Sequence, residues 1–255
     1  MPQYALVIDL NTCVGCHACA TNCKEWNTQA AFGPLSDYDP YGKGASGVWY
    51  NRIFTYEMGE FPETQVFHLP KSCLHCQDAP CVPVCPTGAS YKREQDGIVL
   101  VNYDDCIGCK LCSWACPYGC REFDEADKVM KKCTLCIDRI YDETLPPEHR
   151  QPACVLTCPA RARFFGDIED PNSEVYKLIK ERNGFVLFPD MGTNPANHYL
   201  PRQEAKINLE EFEKHILKPD NPLFLEVMRR HHTSSKAQTQ ETSKEEEVIQ
   251  FEELP

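Results

Sequence analysis

A chain of 255 residues and 29.1 kDa has room for one large domain or two small ones. Its 17 cysteines reach the density of disulfide frameworks, but those belong to short secreted proteins, whereas this chain is long and its count odd. The 26 Lys and Arg against 38 Asp and Glu leave a net charge of −12, which a nucleic-acid partner would resist over most of the surface.

In chain order, a strand is expected over 3–9, followed by a cysteine group at Cys13, Cys16, Cys19 and Cys23 with spacing C-x2-C-x2-C-x3-C. Gly15 falls between the first two cysteines, and Lys24 follows the last, where proline follows in the other groups. A turn-rich loop over 33–47 carries Tyr38 and Tyr41 and is expected at the surface, with partner contact as the alternative. Strands follow over 48–56 and 65–69. The second group is Cys73, Cys76, Cys81 and Cys85-Pro86, with its middle gap opened. A hairpin over 89–92 and 98–101 turns around Asp96-Gly97. The third group, Cys106, Cys109, Cys112 and Cys116-Pro117, repeats the first spacing, with Gly108 at the place of Gly15. Cys120 stands apart, four residues on, and is expected to be a buried or half-buried thiol, not a ligand. The fourth group is Cys133, Cys136, Cys154 and Cys158-Pro159. A strand over 163–166 leads to a helix from Asp170-Pro171 to about Asn183, with Asp170 as cap, proline in the first turn and Gly184 past the end. Further helices are expected over 208–217 and 223–231. The tail, 233–255, carries Lys236, Lys244 and six glutamates and is expected to be disordered, with 248–254 ordering on a partner.

Three thiolates at i, i+3 and i+6 on a loop reach three irons of one 4Fe-4S cube, and the fourth, on the helix that follows, points to a neighbouring cube. This is the spacing of bacterial-type ferredoxins. A residue without Cβ at Gly15 and Gly108 lets backbone N–H groups approach the sulfides and takes an unusual φ. Zinc is the competing reading, but zinc sites pair two doublets across a longer gap. The chain also repeats itself: 6–16 aligns with 99–109, 80–89 with 153–162, and 71–76 with 131–136. Two modules follow, each with one compact and one stretched group. Spacing leaves open whether the first group pairs with the second, or encloses second and third by pairing with the fourth.

Over about residues 3–170 the four-group pattern resembles the four-cluster ferredoxin-like electron-transfer subunit (the beta subunit) of dimethyl sulfoxide reductase family molybdoenzymes. The resemblance implies the nested pairing. One cluster would lie at Cys13, Cys16, Cys19 and Cys158, and a second at Cys23, Cys133, Cys136 and Cys154. A third would lie at Cys73, Cys76, Cys81 and Cys116, and a fourth at Cys85, Cys106, Cys109 and Cys112. Some relatives have Trp at the place of Cys109 and hold a 3Fe-4S cluster there; this chain is expected to hold four 4Fe-4S clusters. The implied fold is α+β, two bacterial-ferredoxin-like modules in nested arrangement with added β-hairpins and C-terminal helices. Module 1 would comprise 1–31 and 125–170, an insertion 32–63, module 2 64–124, and a partner-docking helical extension 171–232.

The resemblance implies a molybdopterin catalytic subunit and an integral-membrane quinone-binding subunit as partners. The relay would run from the Cys13 cluster through those of Cys23 and Cys73 to that of Cys106, nearest the membrane. Within the family, 47–52, 60–62 and the first cysteine group resemble the corresponding parts of sulfite-oxidising, quinone-reducing members. Dimethyl sulfoxide, thiosulfate, polysulfide or tetrathionate reduction, a free polyferredoxin carrier and a zinc scaffold are the alternatives. No secretory signal or twin arginine is expected at the start. The protein is therefore expected on the cytoplasmic face of the membrane, or on the periplasmic face after export with a partner. No nucleophile–base pair or Gly-rich nucleotide loop appears, so the subunit itself is expected to be non-catalytic.

Around the cysteines, His17 and His75 are expected as satisfied or solvent-facing histidines, with cluster tuning as the alternative. Trp26 and Trp114 are expected to pack over cluster faces. Lys92, Arg93, Lys110, Arg121, Lys131, Lys132, Arg139, Arg161 and Arg163 would offset cluster charge, each cube with its thiolates carrying about −2.

Overall fold

The computed structural model describes residues 1–28, 48–60 and 64–203. The expected loop over 33–47, the helices over 208–217 and 223–231, and the tail lie outside them.

Strand β1 (Tyr4–Asp9) is the centre of a three-stranded sheet. Its sequence is a continuous apolar run, and Ala5, Leu6, Val7 and Ile8 are fully buried on both faces. On one side it pairs antiparallel with β8 (Arg163–Asp167), from Tyr4↔Asp167 to Ile8↔Arg163. On the other it pairs in parallel with β9 (His198–Leu200). β9 was not expected; three residues are too few to show alternation, and the strand exists only because β1 offers it an edge.

Helix α1 (Ala18–Asn27) starts inside the first cysteine group and carries Cys19 and Cys23. β2 (Asn51–Met58) and β3 (Gln65–Ser72) form an antiparallel hairpin of eight paired positions. β2 begins three residues later than expected, because the Trp49 N–H donates to Glu122 Oε2 (2.8 Å) instead of to a strand. β3 runs past its expected end through Pro70, which a two-stranded sheet tolerates, and delivers Ser72 to the doorstep of Cys73. The hairpin β4 (Ser90–Lys92) and β5 (Val99–Val101) turns as expected, with Gly97 at φ +70°. Its buried Asp96 is held by Arg93 (3.1 Å) and the Tyr141 hydroxyl (2.8 Å). One-turn helices α2 (Leu111–Trp114), α3 (Ile137–Ile140) and α4 (Ala153–Leu156), and the short pair β6 (Glu122–Phe123) and β7 (Met130–Lys131), complete the cysteine-rich part.

α5 (Glu174–Glu181) packs Val175, Leu178 and Ile179 against Val7 of β1 and Leu200 of β9. It starts later than the sequence suggested. Ser173, not Asp170, is the cap, its Oγ accepting from the Tyr176 N–H (3.2 Å). Asp170 instead accepts the Asn172 N–H (2.9 Å) and folds residues 170–173 into a turn. At the far end the left-handed residue is Asn183, φ +52°, and not Gly184.

The main core joins Leu6, Ile8, Leu74, Leu135 and Tyr199 to Cys19, Cys23, Cys73, Cys76, Cys133 and Cys154. The cysteines are core residues. The architecture is a mixed helix and strand fold in which short elements exist chiefly to place them.

Candidate cluster-binding sites

No disulfide joins any of the seventeen cysteines. Cys13, Cys16, Cys19 and Cys158 line one cavity that, with its open mouth, encloses about 350 Å³. Cys73, Cys76, Cys81 and Cys116 line a second of about 340 Å³, and Cys85, Cys106, Cys109 and Cys112 a third of about 310 Å³. The remaining four meet as well. Cys133, Cys154 and Cys136 act, after burial itself, to push the Cys23 thiol well above its ordinary pKa. Asn27 Nδ2 donates to both Cys23 Sγ (3.6 Å) and Cys136 Sγ (3.7 Å).

The local backbone explains how one spacing serves four groups. In the first C-x2-C pair of each group the residue before the second cysteine is left-handed: Gly15 (φ +68°), His75 (+46°), Gly108 (+66°) and Leu135 (+55°). That turn brings the two thiols to one side of the loop. In the three groups that end Cys-Pro, the third residue after the cysteine is left-handed too: Gly88, Gly119 and Arg161. Proline stops the helix there, and the chain swings back toward the cavities. The first group has Lys24 in place of that proline, so α1 continues to Asn27 and carries the Asn27 amide to the thiols.

Adjacent sites are linked covalently. Cys19 and Cys23 share α1, and each i, i+4 pair (Cys81/Cys85, Cys112/Cys116, Cys154/Cys158) sends its members to two different sets. Cys19 and Cys23, both within α1, stay about 6 Å apart along its axis at a helical rise of about 1.5 Å per residue. Between the second and fourth cysteine groups, Cys73 is among the thiols that raise the pKa of Cys133.

Burial pushes Cys76, Cys133 and Cys154 up to about 12, helped by neighbouring thiols. Four mutually repelling thiolates in such a place cannot ionise together unless a cation joins them. Among the described residues, however, no three His, Cys, Asp or Glu side chains are gathered so as to hold a metal ion. Spread thiols around a cavity fit a polynuclear group better than a lone zinc.

Donors for the cysteine sulfurs are also present. Backbone N–H groups of Ser90, Met130, Leu135 and Ala162 reach Cys85, Cys106, Cys133 and Cys158 at 3.3–3.5 Å. Three further side-chain nitrogens are buried beside the thiols with no hydrogen-bond partner: Arg121 Nη1, Arg163 Nη1 and His75 Nε2. Orphaned buried donors are costly, and sulfide is an acceptor of the right charge. The residues present fit a 4Fe-4S group.

Other expectations fare unevenly. His75 is neither solvent-facing nor fully satisfied: it is wholly buried, and its Nδ1 accepts the Val99 N–H (3.1 Å). His17 lines the first cavity at φ +61°. Trp26 and Trp114 do not pack over cluster faces. Trp114 is 85% exposed on one-turn α2, whose inward face is taken by Cys112, and Trp26, 43% exposed, bonds Asp138 (2.9 Å) beneath Arg139. The buried tryptophan is Trp49, with Lys24 Nζ 4.6 Å from its ring centroid.

Cys120 lines none of the three cavities, and its thiol donates to the Ser72 carbonyl (3.1 Å). The nearby Cys120 thiol, the backbone N–H groups of Cys120 and Tyr118 and the Arg121 charge hold the Cys116 thiol below its ordinary pKa. Of the nine cations, only Arg121, Lys132 and Arg163 are buried. Lys132 Nζ is spent on the carbonyls of Val99 and Cys133. Sequence reasoning missed Asn27 and Ser90; the i+4 spacing of Asn27 from Cys23 on a helix was the signal available.

Known proteins bear on the same residues. The sequence profile of the 4Fe-4S dicluster domain matches residues 64–168. The chain is 61% identical over 222 residues to a sulfite dehydrogenase subunit of Allochromatium vinosum, covering 87% of this chain and 92% of that one. It is 36% identical to the putative dimethyl sulfoxide reductase iron-sulfur subunit of Halobacterium salinarum (78% and 79% covered). Identity to a tetrathionate reductase subunit of Salmonella typhimurium is also 36% (80% and 74% covered).

Proposed function

Since the chain belongs to the family of iron–sulfur electron-transfer subunits that includes the sulfite dehydrogenase subunit of Allochromatium vinosum, we propose that it holds four 4Fe-4S clusters on the four cysteine sets described above and relays electrons in sulfite oxidation coupled to quinone reduction. The observation that carries this reading is three cavities, each lined by four cysteines, with the last four cysteines gathered around Cys23. Bound there, a 4Fe-4S cube supplies one-electron exchange without making or breaking bonds.

The chain's own residues do the rest. Thiolates from two cysteine groups close each site, so no coordination position is left for a substrate. Burial of Cys19, Cys23, Cys73, Cys76, Cys133 and Cys154 excludes water. Cys16 and Cys109, the exposed members of the first and fourth sets, lie where electrons can enter and leave. The proposed modules are nested, 1–31 with 125–170 around 64–124, and the insertion 32–63 and extension 171–232 dock on partners. Those partners are a molybdopterin catalytic subunit and a quinone-reactive membrane subunit, with this chain on the cytoplasmic side. Among the described residues no helix is long and apolar enough to cross a membrane.

Purification of the full chain with its co-expressed neighbours tests the reading. The expected product is brown, bleaches with dithionite, carries about sixteen irons and as many sulfides per chain, and reduces a quinone analogue with sulfite as donor. A colourless, zinc-loaded protein overturns the cluster assignment. A brown complex that ignores sulfite and reduces tetrathionate or dimethyl sulfoxide overturns the substrate alone.

A further inference from the structure

Two of the buried cations occupy a matched position. Arg121 lies five residues after Cys116, and Arg163 five residues after Cys158, each beyond a Cys-Pro turn and its left-handed third residue. The geometry places their guanidinium groups between sites. Arg121, 4% exposed, lines both the Cys73 and the Cys106 cavities; its Nη2 donates to Cys81 Sγ (3.0 Å) and Ser90 Oγ (2.6 Å). Ser90 is itself five residues after Cys85, so the same turn in the second group supplies the hydroxyl that holds the arginine of the third. Arg163, also 4% exposed, lines the Cys13 cavity, and Cys19, Cys154 and Cys23 of two sets all act on its charge. Its Nη2 donates to Asn51 Oδ1 (2.8 Å). Both arginines keep Nη1 buried without a partner. The first group has no such arm, because α1 runs on where the others turn.

We infer that Arg121 and Arg163 are positioning residues that set the reduction potentials of the clusters in pairs, Arg121 for the Cys73 and Cys106 sites and Arg163 for the Cys13 and Cys23 sites. The inference rests on the cluster reading above. One-electron reduction adds one negative charge to a buried site, with no bond made or broken. A guanidinium shared by two sites stabilises both reduced forms, and raises both potentials together. Neighbouring centres at similar potential pass electrons without a deep trap between them. Arginine suits this task because it stays charged at any working pH.

The test uses the full chain purified with its accompanying subunits, in four variants: Arg121→Gln, Arg121→Lys, Arg163→Gln and Arg163→Lys. Each is followed by iron content and by redox titration monitored by electron paramagnetic resonance. In Arg121→Gln, two centres are expected to shift down together. At the wild-type midpoint their reduced-to-oxidised ratio falls about tenfold, 59 mV for a one-electron centre, while the other two stay in place. Arg163→Gln moves the complementary pair, and the lysine variants recover most of each shift. Should a glutamine variant lose iron, Ser90→Ala keeps the charge but releases Arg121 and is expected to move the Arg121 pair by less. Shifts confined to one centre, spread evenly over four, or absent in iron-replete variants overturn the inference and leave the cluster reading intact. Fewer than four centres in the unaltered chain overturns that reading, and this inference with it.

Discussion

At four places a C-x2-C pair turns through a left-handed residue, and the four residues are not alike. Gly15 and Gly108 announce the conformation, whereas His75 and Leu135 adopt it at φ +46° and +55° despite their Cβ. Both are completely buried, and packing offsets the roughly 1–2 kcal/mol that an L residue gives up there. At Gly108 a Cβ would also run into the Lys128 carbonyl oxygen and the Phe123 ring, while at Gly88 it would meet nothing within 4 Å. Gly88→Ala is therefore expected to cost about 1 kcal/mol, and Gly108→Ala about 3 kcal/mol with loss of iron from the Cys106 site. Chemical denaturation and iron analysis of the two variants side by side check the contrast; equal costs would show that backbone strain alone decides.

Among the elements, α1 and α5 show where local signals were sufficient and where they were not. The absence of proline after Cys23 was legible, but its consequence was not: the helix runs to Asn27, whose amide then serves Cys23 and Cys136. Lys24→Pro, which would copy the other three groups, is expected to break α1 at a cost of about 3 kcal/mol and to alter the spectrum of the Cys23 centre alone. A variant with an unchanged melting temperature and spectrum would refute this account of the helix. In α5 the expected cap was Asp170 and the observed one is Ser173, whose Oγ also donates to the Asp167 carbonyl (2.5 Å). Ser173→Ala should destabilise by about 1 kcal/mol, and Asp170→Ala by less, as read from thermal unfolding. Either acid or hydroxyl could cap in isolation. The outcome depends on where β8 releases the chain.

Across the described residues, one side chain holds distant parts together. Asn197, fully buried, accepts the Leu6 N–H of β1 (2.8 Å) and donates to the Cys73 carbonyl (3.0 Å), joining the strand that enters the first cysteine group to the start of the second. Asn197→Ala leaves two buried backbone groups unpaired, an expected loss of about 2–4 kcal/mol, with clusters of both groups released at lower temperature than in the unaltered chain. Release of one group's clusters only would sever the proposed link. Asn197 was invisible to pattern reading, since nothing in its neighbours marks it and both its partners lie more than a hundred residues away. Thiol spacing, the repeated segments, the strands that lead into the cysteines and the glycine turns are all local, set by bond lengths and by which backbone angles a residue tolerates, and the linear order of residues determined them unaided. Which thiols share a cavity, which arginines are trapped between cavities, and which tryptophans face water depend on contacts between segments far apart in the chain. Only the packed structure, in which burying one group excludes another, could decide those.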